Sequence, residues 1–130
     1  MRKIDYIIVH CTASPADWTK ADLERCFDLN GWNSPGYHFA VMQNGCIAHL
    51  LPEQRIANGA KGYNANSIHV AYVGGMNGKD TRTEAQKRGL LAILGRLKLT
   101  YPAAQIISHH DVNVSKTCPN FDATKEYCYL

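Results

Sequence analysis

Ser108-His109-His110-Asp111-Val112-Asn113-Val114-Ser115-Lys116-Thr117-Cys118-Pro119-Asn120-Phe121-Asp122 is the stretch on which the reading of this chain turns. Immediately before it, Gln105-Ile106-Ile107 has the character of a short buried strand, and that strand ends on two histidines. A polar loop follows, carrying Lys116 and Cys118 on either side of one threonine, and then a proline. Imidazole and thiolate are preferred ligands of Zn2+, and a catalytic zinc takes three protein ligands and keeps a fourth position open. The loop supplies two ligands. The best candidate for the third is His10. A lysine two positions from a thiolate ligand can aim its ammonium at whatever the metal activates.

Working outward, Tyr6-Ile7-Ile8-Val9-His10 is apolar on both alternating faces, as in a strand at the centre of a sheet covered by helices. Ligands bind at the strand ends of such sheets. A lone histidine there is more often structural, but the matching arrangement at Ser108-His109 reverses the balance. Thr19 and Asp22 form the pattern of a capping box, and Leu23, Cys26 and Phe27 fall at helical spacing before Asn30-Gly31 ends the helix. Residues 37–42 read as a strand, Gln43-Asn44-Gly45 as a hairpin turn, and residues 46–50 as the returning strand. Tyr37, by itself, is a half-buried strand aromatic. Residues 67–73 form another strand, with His69 mid-strand and therefore structural. Thr83 and Gln86 open the longest helix, whose apolar face is Leu90, Leu91, Ile93, Leu94 and Leu97. Asp122 can cap a final short helix. The order β-α-β-β-β-α-β-α predicts an α/β fold: a single domain over residues 1–130, with a central mixed sheet flanked by helices.

The chain has 130 residues, 45% hydrophobic and 19% charged, enough for one compact domain with a real core. No stretch is long and apolar enough for membrane insertion. The start of the chain reads as a strand and not as a signal peptide, so synthesis in the cytoplasm without an address is expected. The formal charge of +3 is scattered, so no nucleic-acid partner is expected, although mild basicity suits an anionic polymer. Five cysteines, irregularly spaced and without a CxxC pair, argue against both a disulfide framework and a four-thiolate zinc site. Cys11, Cys26 and Cys46 are expected as small core residues, and only Cys118 lies in a polar loop. The long irregular segment of residues 52–66 is rich in Gly, Asn and Ala. Its backbone amides, its asparagines and Tyr63 suit recognition of an amide-rich ligand.

Together these motifs resemble the type-2 N-acetylmuramoyl-L-alanine amidases, the family of small phage lysozymes and peptidoglycan recognition proteins. The anchors are Ile8-Val9-His10-Cys11-Thr12-Ala13, Gly36-Tyr37-His38-Phe39, Ala60-Lys61-Gly62-Tyr63-Asn64, Val73-Gly74-Gly75, His109-His110-Asp111-Val112 and Lys116-Thr117-Cys118-Pro119. The resemblance implies zinc held by His10, one histidine of the pair and Cys118, with hydrolysis assisted by Tyr37 and Lys116. It implies peptidoglycan or a muropeptide as substrate, contacted by Ala60, Lys61, Tyr63 and Asn64, and cleavage between N-acetylmuramic acid and L-alanine. The protein is expected to be a monomer acting on the wall after release, as endolysins do, or on wall fragments in the cytoplasm. The alternative is a non-catalytic peptidoglycan-binding module of the same fold. Relatives of that kind lose the cysteine, which is present here.

Two departures stand out. Many relatives carry a histidine just before the position of Ala60, where this chain has Asn58-Gly59, and the loop leading to Cys118 is one residue longer. The family pattern selects His109 as the ligand. Adjacent strand residues point to opposite faces, so His110 is expected to face solvent. The proton for the leaving amine is left open, with the nucleophilic water relayed through Tyr37 or His38 as candidate routes.

Overall fold

The computed structural model describes residues 2–130, in the order β1 (Tyr6–Cys11), α1 (Lys20–Leu29), β2 (Phe39–Val41), β3 (Ile47–His49), β4 (Ser67–Tyr72), α2 (Glu84–Thr100), β5 (Gln105–Ser108), α3 (His109–Val112) and α4 (Ala123–Glu126). The strands form one mixed sheet in the order β3-β2-β4-β1-β5. β1 runs parallel to both β4 and β5, β2 is parallel to β4, and only the β2–β3 hairpin is antiparallel. This is the expected α/β architecture with its central mixed sheet.

Side-chain alternation sorts the strands onto two faces. Ile7, Val9 and Cys11 of β1, Ile68, Val70 and Tyr72 of β4, and Phe39 and Val41 of β2 pack with Leu90, Ile93, Leu94 and Leu97 of α2 in the larger core. On the other face, Ala40 and Val73 pack with Leu23 and Phe27 of α1. Three buried histidines, His10, His38 and His69, share that second face. Both capping boxes are present. Thr19 and Asp22 bond reciprocally at the start of α1, as do Thr83 and Gln86 at the start of α2. Gln86 is itself buried, and its amide also donates to the carbonyls of Val41 and Val73, which ties α2 to the sheet.

Two expectations need correction. β5 does not end on two histidines: it ends at Ser108, and His109 and His110 form the first turn of α3. Asp111 accepts from the Ser108 backbone N–H at 2.9 Å and from the Thr124 hydroxyl at 2.8 Å, which fixes the turn. Nor are three cysteines in the core. Cys11 is buried, but Cys26 is only half-buried, and Cys46 is exposed because it follows the hairpin turn at the sheet edge.

Candidate metal centre

Register builds the site. β1 and β5 are neighbours, with Val9 opposite Ser108, so the next residues, His10 and His109, emerge side by side at the ends of parallel strands. Their Nδ1 atoms lie 3.2 Å apart. Cys118 arrives from the loop after α3, and its Sγ accepts from the Cys11 backbone N–H at 2.9 Å. The potential ligand atoms of His10, His109 and Cys118 all lie within 4.8 Å of one another. Two imidazole nitrogens bound tetrahedrally at about 2.05 Å would stand about 3.3 Å apart. The donor set and spacing therefore fit a zinc ion.

The protonation states agree with that fit. Burial, with His69 and His109 nearby, holds the His10 imidazole well below its ordinary value. His109 is lowered by burial and by the charge of Lys116. Both rings are thus neutral near pH 7, the form in which imidazole binds metals. The Cys118 thiol is pushed up by its hydrogen bond with the Cys11 thiol and by burial. A cation beside it would reverse that preference.

The site lies in a cleft of about 800 Å³ whose lining includes His10, Tyr37, His109, Lys116 and Cys118. Lys116 is exposed. The Tyr37 ring packs 5.1 Å from that of His10, and its hydroxyl donates to the Cys11 carbonyl at 3.4 Å. Burial pushes this phenol well up, so it stays protonated and can act only as a neutral hydrogen-bonding group near pH 7.

The loop of residues 52–66 supplies one wall. Arg2 holds it to the sheet, donating to the carbonyls of Glu53, Asn64 and Ser67. Ala60, Lys61 and Asn64 line the cleft, and the Asn64 side-chain oxygen accepts from the Ala60 N–H at 2.8 Å. Tyr63 does not join them. It turns away and packs edge-on against Tyr6, with ring centres 5.8 Å apart. Asn58, one of the asparagines of that loop, lines the cleft too, and sequence reasoning missed Trp32 and Asn113, which also line it.

Three histidines differ from expectation. His110 does not face solvent: it is half-buried, with Nδ1 3.2 Å from the Cys118 carbonyl and 3.3 Å from that of Thr117. Both neighbours are acceptors, so Nδ1 carries the proton and clamps the loop that presents Cys118. His38 is fully buried, accepting from the His69 backbone N–H at Nδ1 and donating from Nε2 to the Arg55 carbonyl. With both nitrogens committed away from the cleft, it is no proton relay. His69, read as merely structural, has Nδ1 2.9 Å from Nε2 of His10.

A sequence profile described as N-acetylmuramoyl-L-alanine amidase matches residues 1–121. The chain is 34% identical over 122 residues to an endolysin of Klebsiella phage KP32, spanning 89% of this chain and 80% of that protein. It is 35% identical over 124 residues to an endolysin of Escherichia phage T7, spanning 91% and 82%. Among solved structures, the Ph2119 endolysin from the Thermus scotoductus bacteriophage Ph2119 superposes with a TM-score of 0.84 at 27% identity, covering 92% of this chain and 79% of that one. The N-acetylmuramoyl-L-alanine amidase LysC from Clostridium intestinale gives a TM-score of 0.84 at 25% identity, covering 97% and 83%. With a profile match over nearly its whole length and relatives at this identity, the chain belongs to the N-acetylmuramoyl-L-alanine amidase family.

Proposed function

We propose that residues 1–130 form one zinc-dependent domain, working as a monomer, that hydrolyses the amide between N-acetylmuramic acid and L-alanine in peptidoglycan. The observation that carries this reading is the convergence of His10, His109 and Cys118 in a cleft also lined by Lys116 and Tyr37. Zinc held by those three residues would supply a Lewis acid at the scissile carbonyl and lower the pKa of water from 15.7 to about 7.

The chain's own groups do the rest. Ala60, Lys61 and Asn64 bind the substrate along one wall, while Tyr63 shapes the loop through its contact with Tyr6. As the carbonyl carbon becomes tetrahedral, negative charge builds on its oxygen, and the Lys116 ammonium meets it. Such a charge placed in advance stabilises the transition state more than the substrate. Tyr37, held neutral, turns its one hydroxyl hydrogen from the long contact with the Cys11 carbonyl to the reacting groups and orients them. His110 keeps the Cys118 backbone in place. The relatives from Klebsiella phage KP32 and Escherichia phage T7 are endolysins, which supports action on the cell wall.

Digestion of purified peptidoglycan, with mass analysis of the new ends, tests the reading. New L-alanine amino termini without new reducing sugar ends are expected. New reducing ends, or no new ends, would overturn it.

A further inference from the structure

We propose that His69 is the positioning residue for His10, and that Gly59, on the cleft wall, is the position whose missing side chain makes room for it. The proposal rests on the zinc reading above and goes beyond it, because His69 is not among the residues that line the cleft.

His69 lies in β4 and is fully buried. Ile8 of β1 stands opposite His69, so His10, two residues on, points to the same face and leans over it. Nε2 of His10 and Nδ1 of His69 are 2.9 Å apart. Nδ1 of His10 is the atom facing His109. For that atom to offer a lone pair, the proton of neutral His10 must sit on Nε2. Nε2–H then donates to Nδ1 of His69, and the proton of neutral His69 must sit on its own Nε2. That nitrogen is buried and has no hydrogen-bond partner among the described residues. A buried donor without a partner is costly, and a leucine or phenylalanine filling the same space would avoid the cost. The imidazole therefore has a use other than packing. It fixes the tautomer and the ring angle of His10, as partners of metal-binding histidines generally do.

Gly59 supports the same assignment independently. A Cβ built there would overlap the His69 ring, 2.5 Å from Cγ and 2.7 Å from Cε1, and closer still to Nδ1. Any side chain at residue 59 would push His69 away from His10. Gly59 and His10 both line the cleft, so its shape and the aim of its ligand are set by one contact.

The test is a double-mutant cycle read by zinc affinity, measured in competition with a chromophoric chelator, and by the visible spectrum of the Co2+-loaded protein. His69→Leu should weaken zinc binding about 10- to 100-fold and alter the cobalt spectrum. His69→Asn, whose Oδ1 can occupy the place of Nδ1, should stay within about threefold of wild type. Gly59→Ala should weaken zinc about tenfold in the wild-type background and have no further effect in His69→Ala, because no ring remains to displace. Wild-type affinity and an unchanged cobalt spectrum in His69→Leu would overturn the proposal. If that variant fails to fold, the cycle still decides, since additive effects of Gly59→Ala and His69→Ala would overturn it equally. If wild-type protein binds no zinc, the zinc reading falls and takes this proposal with it. If wild type binds and the variants match it, only this proposal falls.

Discussion

The Nδ1 atoms of His10 and His109 stand 3.2 Å apart, brought together across 99 residues of sequence by one register relation, Val9 opposite Ser108. Two imidazoles at that distance cannot both be protonated without strong repulsion, and both are held neutral. The arrangement suits two ligands on one cation, with Cys118 as the third.

His109→Ala should remove zinc, whereas His110→Ala should keep it. His110 binds the Thr117 and Cys118 carbonyls, so its loss should cost only about 1 kcal/mol of stability. Metal content and thermal unfolding of the two variants check this. Zinc lost from His110→Ala and kept by His109→Ala would reverse the assignment.

Lys116→Ala should keep the fold and the zinc while turnover falls roughly 100- to 1000-fold, the usual loss for one charge-stabilising group. The lysine is exposed, so the core is untouched. Wild-type turnover on natural wall would reduce Lys116 to a solvated charge.

Acid should destabilise the metal-free protein in a defined window. Burial lowers His38 to about 4 and His69 to about 3. Below the ordinary histidine value of about 6.5, the unfolded chain binds protons that the folded protein refuses, so stability falls with pH. The contribution of each neutral ring is complete above about 6.5 and is lost as pH falls through the window toward those folded values. The thermal midpoint should drop steadily from pH 7 to 4, and His69→Asn should flatten the slope by nearly one proton. A midpoint that stays level over this range would contradict the burial of neutral imidazoles.

Cys118→Ser should separate binding from cleavage. Serine is close to cysteine in size, but its hydroxyl stays protonated near neutral pH and ligates zinc poorly. The wall made by Ala60, Lys61 and Asn64 is held by Arg2 and by the Asn64–Ala60 hydrogen bond, not by the thiolate. Calorimetric titration with a muropeptide should show binding retained while amide cleavage by the same sample is lost. Stoichiometric zinc with continued cleavage would remove Cys118 from the ligand set.

Much of this was legible in the sequence for local reasons. The Thr19/Asp22 and Thr83/Gln86 boxes announce both longer helices, and Asn44-Gly45 announces the hairpin, because each depends on a few adjacent residues. The candidate ligands stood out because His10 and the His109-His110 pair each stand at the end of a short apolar run. Ser108-x-x-Asp111 is also a capping pattern, yet the apolar run before it favoured extending the strand, and α3 was lost. The roles of His69 and Gly59 were hidden for a different reason. They depend on the register of β4 against β1 and on the path of the loop of residues 52–66, which no local pattern encodes. Tyr63 has the composition of a binding residue, but its direction is set by Tyr6 on a distant strand.

The most direct test of the central claim is the rate of amide cleavage on purified peptidoglycan, followed as zinc is titrated into rigorously metal-free protein. No release of L-alanine amino termini is expected without zinc, followed by a linear rise with added metal and a plateau at one zinc per chain. Full cleavage by the metal-free protein, or a plateau unrelated to chain concentration, would contradict it.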